Sequence, residues 1–175
     1  DGETLAATPG SEGLAVFAAY LFSNNTGVAI MAFGLGFAFG IPTLLLLIYN
    51  TALLGAMLFV FAEAGLGWEF AAWLSVHGTT ELLAILLAGA AGVHIGRAMA
   101  FPGPRSLMAA TRDAGQRAAV VMVGVTLMLV VAGLLEGFVR QLVGAPGARA
   151  AIGMAMLAFW LGYFALLRGS RPPAS

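Results

Sequence analysis

The sequence contains no cysteine and no lysine. The first absence removes disulfides, thiolate metal sites and a thiol nucleophile. The second leaves arginine as the only strong base, and no arginine occurs before Arg97. Charged residues make up 9% of the 175 positions, against about 25% in a soluble domain. So few charges cannot cover a water-facing surface. Formal charge sums to zero, and no basic stripe of the kind that meets nucleic acid is present, so no nucleic-acid partner is expected. G-x-S-x-G, P-loop and H-E-x-x-H motifs are all missing, and no catalytic residue is assigned. Zinc needs three or four ligands. The only imidazoles are His77 and His94, and His94 points about 140° away from Glu81, the acid beside His77, around the helix. No metal site and no cofactor are expected.

What the sequence has is apolar length: 61% of it is hydrophobic, and each membrane span needs about 20 such residues. The lipid bilayer is therefore the first expected partner. The expected fold class is all-α, a polytopic helical membrane bundle with about five membrane segments and a short interfacial helix. Residues 1–13 read as a polar tail, and 14–168 as a single transmembrane domain. Residues 14–23 are apolar but short, which suits an interfacial helix. Ser23-Asn24-Asn25-Thr26 offers helix caps, so a new helix is predicted over 26–40. Gly40-Ile41-Pro42 breaks the run, and a second helix is predicted over 42–63. Further spans are predicted at 70–98, 117–142 and 148–167, with a polar loop, having room for a short surface helix, at 99–116 and a tail at 169–175.

Arginine placement orients the chain. Arg97, Arg105, Arg112 and Arg117 crowd one loop, and Arg168 and Arg171 fall on the same side, two spans later. The 63–69 turn has two acids and no base. By the positive-inside rule the arginine side and the C-terminus are cytoplasmic, and the N-terminus of this chain is outside. The expected location is the cell inner (plasma) membrane. Residue 1 is Asp, so the chain is expected to be a piece of a longer protein with a further crossing upstream. Trp68 and Trp73 sit where interfacial aromatics anchor a span.

A few residues do not suit lipid. An ionisable group at membrane depth normally faces protein or water. Glu81 shares its helical face with Ala84, Ala88, Gly92 and Gly96, small residues that let another helix approach. His77 stands one turn away, within hydrogen-bonding range on a helix. Glu136 lies near the same end of its own span, with Arg140 at i+4. A buried polar cluster of His77, Glu81, Glu136 and Arg140 is expected. Thr43 and Asn50 lie on one stripe, and Asn50 is expected to bond a neighbouring helix. Asn24 and Asn25 are expected to cap. The pairs Gly36/Gly40, Gly92/Gly96 and Gly133/Gly137 have the spacing of packing glycines. For the ionisable groups three readings stand open: structural glue, proton or ion handling, and catalysis.

Taken together, several stretches resemble the stage II sporulation protein M family of bacterial and archaeal membrane proteins. They are "LFSNNTGVAIMAFGLGFAFGIPTLLLLIYNTALLGA" (21–56), "HGTTELLAILLAGAAGVHIGRAMAFPG" (77–103) and "GLLEGFVR" (133–140). The family pattern of paired Asn, Asn-Gly, His-Gly-x-x-Glu and Ile-Glu-Gly/Ala-Phe falls on Asn24-Asn25, Asn50, His77-Gly78 with Glu81, and Glu136-Gly137-Phe138. Thr51 and Leu135 depart from it. In spore-forming members the resemblance implies a scaffold that recruits cell-wall hydrolases during engulfment.

The expected function is a non-enzymatic membrane scaffold or assembly component of envelope machinery, as a homo-oligomer or with other membrane proteins, and with cell-wall hydrolases as partners by family analogy. The alternatives are a transporter or channel-like protein that moves protons or cations through Glu81 and Glu136, and an intramembrane hydrolase or metal enzyme.

Overall fold

The computed structural model describes residues 11–139 and 142–169. They form five long helices, with no strand among the described residues: α1 (Ser11–Gly34), α2 (Ile41–Glu63), α3 (Gly67–Ala100), α4 (Leu107–Leu134) and α5 (Pro146–Gly169). A 3-10 turn (Leu35–Phe37) follows α1, and a π-helical turn (Leu135–Val139) extends α4. The chain is an all-α polytopic bundle. Helices α2 to α5 are long and apolar enough to cross a bilayer. Helix α1 carries the polar run Ser23–Thr26 near its middle.

The first expected boundary is overturned. Helix α1 runs unbroken through Ser23–Thr26, so there is no separate helix at 14–23 and none starting at 26. Asparagine favours caps because its side chain competes for backbone groups. Here the Asn25 side chain is engaged across the bundle instead. Water-poor surroundings penalise the unpaired backbone groups that a break would expose. At 1.5 Å per residue, α1 is about 36 Å long.

The reversal into α2 does lie at Gly40-Ile41-Pro42. Phe39 (φ 60°) and Gly40 (φ 80°) both take left-handed backbone, and Pro42 occupies the first turn of α2. A second difference is α4. The stretch expected over 99–116 as a loop with room for a short surface helix is instead helical from Leu107 and continuous with the following span, with the Ser106 hydroxyl accepting from the Ala109 amide at 3.2 Å. Its polar residues, Arg112, Asp113, Gln116 and Arg117, mark a helix projecting beyond the hydrocarbon rather than a break in it. Arg140, most of the polar tail (1–10) and residues 170–175 fall outside the described residues.

Helix α3 is the hub, packing against α1, α2, α4 and α5. Within its most apolar window 44% of residues are buried, against 0% in α2 and 6% in α5. Helices α1 and α3 run in parallel, since Asn25 meets Glu81 and Gly36 meets Gly92. Helix α2 is antiparallel to α3: Leu47 lies over Gly89, and Phe61 stacks on Phe70 at 4.2 Å. The bundle thus has a tryptophan end, marked by Trp68, and an arginine end, marked by Arg97.

The small residues of α3 explain its position. A Cβ on Gly92 would sit 2.6 Å from the Phe33 carbonyl oxygen and 2.8 Å from that of Ala32. One on Gly96 would sit 2.7 Å from the Gly40 amide nitrogen, and one on Gly36 would strike the Gly92 backbone. Backbones approach this closely only where no side chain intervenes. Thr43 closes the corner, donating from its hydroxyl to the Ala32 carbonyl at 2.8 Å. Val28, Ala29, Ala84, Ile85, Ala88, Val125, Met128 and Leu129 fill the middle of the bundle.

Candidate functional site, a buried polar cluster

Between the glycine seam and the tryptophan end, the α3 face turns polar. Ala84 and Ala88 are followed outward by Glu81 and His77, both buried. Glu81 is 2% exposed and His77 3%. The His77 ring meets the Trp73 ring edge-on at 5.2 Å, and Phe70 stacks on Trp73. Phe70 and Trp73 thus line the side of the cluster toward the tryptophan end.

Helix α1 delivers the partner. Asn25, Ala29, Ala32 and Gly36 recur at near-helical spacing, and the last three are fully buried on this face. The Asn25 amide donates to Glu81 Oε2 at 2.5 Å. Asn24 donates to Asn25 Oδ1 at 3.5 Å, a long contact on the exposed side. The expected capping role of this asparagine pair is therefore replaced by an interhelical one.

Helix α4 supplies Glu136. The π-helical turn places one extra residue in the coil, and such turns recur at functional positions. It packs against both α1 and α3. Glu136 is 2% exposed and lies within electrostatic reach of Glu81. One turn deeper, Gly133 receives the Phe22 ring, where a Cβ would lie 2.9 Å from a ring carbon. Gly137 faces open space, so the expected Gly133/Gly137 pair packs at one member only.

The structure therefore gathers Asn25, Glu81 and Glu136 from three helices, with His77 beside them. It leaves Asn50 apart. That side chain donates to the Leu46 carbonyl of its own helix at 2.8 Å, a correction to the interhelical bond expected. Among the described residues its one hydrogen bond is to the preceding turn of α2, a local bond that asparagine makes readily in a helix. His94, at the arginine end, is exposed.

Sequence reasoning missed the Asn25–Glu81 bond. The available signal was an asparagine at near-helical spacing from Ala29, Ala32 and Gly36, in an apolar stretch with no proline. Also unforeseen was the polar seam holding α5 to α3. Trp160 Nε1 donates to Thr80 Oγ1 at 3.1 Å. The Thr79 hydroxyl reaches the Gly153 carbonyl at 3.3 Å, and a Cβ on Gly153 would lie 2.6 Å from that of Ser75.

Chemically the cluster is rich in acceptors. Glu81 Oε1 and Thr26 Oγ1 are buried without a hydrogen-bond partner among the described residues. Two carboxylates held together away from water repel unless donors offset their charge, and the Asn25 amide is one such donor. Among the described residues no three His, Asp or Glu side chains gather closely enough to hold a metal ion.

Comparison with known proteins agrees with this architecture. The family model described as stage II sporulation protein M matches residues 3–140, more than half of the chain, and the chain belongs to that family. The match takes in α1 to α4 and the cluster, while α5 lies beyond it. No curated protein matches the chain, and no solved structure does.

Proposed function

We propose that this member of the stage II sporulation protein M family is a non-enzymatic membrane scaffold, an assembly component of envelope machinery whose buried polar residues set the helix register. One observation carries the reading: the polar groups are turned onto one another and closed off from solvent. Glu81 and Glu136 are each 2% exposed, and Asn25 ties α1 to α3. A permeation path for protons or cations needs water or a chain of exchangeable groups on both sides of its carboxylates. Beneath Glu81, toward the arginine end, lie Ala84, Ala88, Gly92 and Gly96, all buried.

In this reading the rigid core is α1, α3 and α4. The bare outer faces of α2 and α5 are left to lipid, to further copies of the chain, or to the spans of other membrane proteins. The arginine end is cytoplasmic and the tryptophan end faces outward, in the inner (plasma) membrane. Arg97, Arg105, Arg112 and Arg117 standing together, opposite a turn whose charged residues are Glu63 and Glu69, support this orientation. Cell-wall hydrolases, the partners suggested by the family's spore-forming members, would meet the outward end.

Purified protein in liposomes carrying a pH-sensitive dye tests the proposal. Proton flux is expected to match protein-free liposomes, and Glu81→Gln and Glu136→Gln are expected to leave it unchanged. A pH-dependent flux in the parent chain, lost in a variant that still elutes as a folded species, would establish transport instead.

A further inference from the structure

The arginine end carries a second feature, independent of the buried cluster. Helix α4 with its π turn runs 33 residues, about 50 Å, across a hydrocarbon layer of about 30 Å. Its first three turns therefore stand in the headgroup zone. Arg97, Arg105, Arg112 and Arg117 lie at or beside this end, all exposed, with Asp113 the single acid between them. Arg105 pairs with Asp113 at 3.0 Å, and Arg117 Nε donates to the Asp113 carbonyl at 3.3 Å. Arg112 and Arg97 make no ion pair among the described residues.

A shallow, open groove of about 480 Å³ lies along the start of α4 against Ser106, Met108, Ala109, Arg112, Asp113 and Gln116. A separate open hollow of about 330 Å³ shares Asp113 and Gln116 and reaches Arg117 and Val120. One helical stripe, Arg112, Gln116, Val120, Val123 and Leu127, follows from it at three- and four-residue spacing. The last three are exposed apolar side chains. A single face thus passes from guanidinium and amide donors to bare hydrocarbon, the order of groups along one phospholipid. Arginine, the only strong base in the chain, presents a planar fork suited to phosphate oxygens.

We propose that this groove binds the headgroup of an anionic phospholipid in the leaflet at the arginine end. Arg112 and Arg117 hold the phosphate, Gln116 lies between them, and Val120, Val123 and Leu127 lie along an acyl chain. The Asp113 carboxylate keeps Arg105 in place and its backbone carbonyl holds Arg117, while the carboxylate discriminates against headgroups that present extra negative charge near it.

The test uses the purified full chain in detergent, titrated with short-chain phosphatidylglycerol, short-chain phosphatidylcholine or inorganic phosphate. Bound lipid is counted by native mass spectrometry. The expected result is retention of phosphatidylglycerol over phosphatidylcholine, weakened about tenfold in Arg112→Ala/Arg117→Ala. Arg112→Lys should weaken retention less than Arg112→Ala. These side chains are exposed, so the variants should match the parent in helicity and elution. Equal retention of the two lipids, or undiminished retention in the double variant, overturns the proposal. So does an equal loss in Arg97→Ala, which would mark a diffuse basic surface. Displacement by inorganic phosphate at matched concentration would point to a soluble anion and overturn the lipid assignment.

Discussion

The two halves of α3 hold their neighbours by opposite means. Toward the arginine end, Gly92 and Gly96 let the backbones of α1, its 3-10 turn and the Gly40 corner come into direct contact. Toward the tryptophan end, His77 and Glu81 keep full side chains, and the tie is a hydrogen bond from Asn25. In lipid the hydrophobic effect does not drive helices together, so packing and interhelical hydrogen bonds remain. One helix uses packing at one end and hydrogen bonding at the other. The packed half has no slack, because its contacts are backbone atoms. The polar half has some, because side chains can rotate and a lost donor can be replaced. Substitutions in the two halves should therefore differ in severity.

The largest effect is expected at the seam. Gly92→Leu places its Cβ against the Ala32 and Phe33 carbonyls, and neither can move without displacing α1. A destabilisation of at least about 3 kcal/mol is expected, read as loss of the monodisperse peak in size-exclusion chromatography. A well-folded Gly92→Leu protein would mean that α1 and α3 are not in register as described.

Next comes the polar half. Glu81→Leu removes the acceptor of the Asn25 amide and strands that donor in the core, at a cost of about 1–3 kcal/mol. Glu81→Gln retains an acceptor oxygen and should cost less. Thermal denaturation in detergent orders the three proteins as parent, Gln, Leu. If Leu proved more stable than the parent, the carboxylate would be a burden kept for another purpose, which strengthens the transport alternative.

A double-mutant cycle refines this to one bond. Asn25→Ala and Glu81→Ala, singly and together, should show a coupling of about 1 kcal/mol. A coupling near zero would separate α1 from α3 at this level.

How much of this could be read beforehand depends on how local the cause was. The membrane setting, the reversal at Gly40-Pro42 and the small-residue face under Glu81 all follow from neighbours in the chain. The continuity of α1 does not. Asn25 has the chemistry of a cap, and only the distant Glu81 makes a helical conformation the better use of its side chain. Helix α4 was misjudged for a different reason. Polar residues signal a loop only in a chain that ends at the bilayer surface, and α4 continues past it. The Trp160–Thr80 bond joins positions 80 residues apart, and no local pattern announces it.

The smallest expected effect is at Asn50, and it tests the comparison from outside. Asn25 and Asn50 are each an asparagine in an apolar helix, and from sequence Asn25 is expected to cap and Asn50 to bond a neighbouring helix. The structure separates them by surroundings. Asn25 faces the hub, whereas Asn50 lies on α2, whose most apolar window has no buried residue, and bonds its own Leu46 carbonyl. That carbonyl needs no second donor, and among the described residues the amide has no partner across the bundle to strand. Asn50→Ala should therefore change stability by less than about 0.5 kcal/mol, well below Asn25→Ala in the same denaturation assay. A loss comparable to that of Asn25→Ala, together with a shift in oligomeric state by native mass spectrometry, would show that the bare face of α2 is covered by another span. The amide would then belong to an interface between chains, and the packed region of the protein would extend beyond a single bundle.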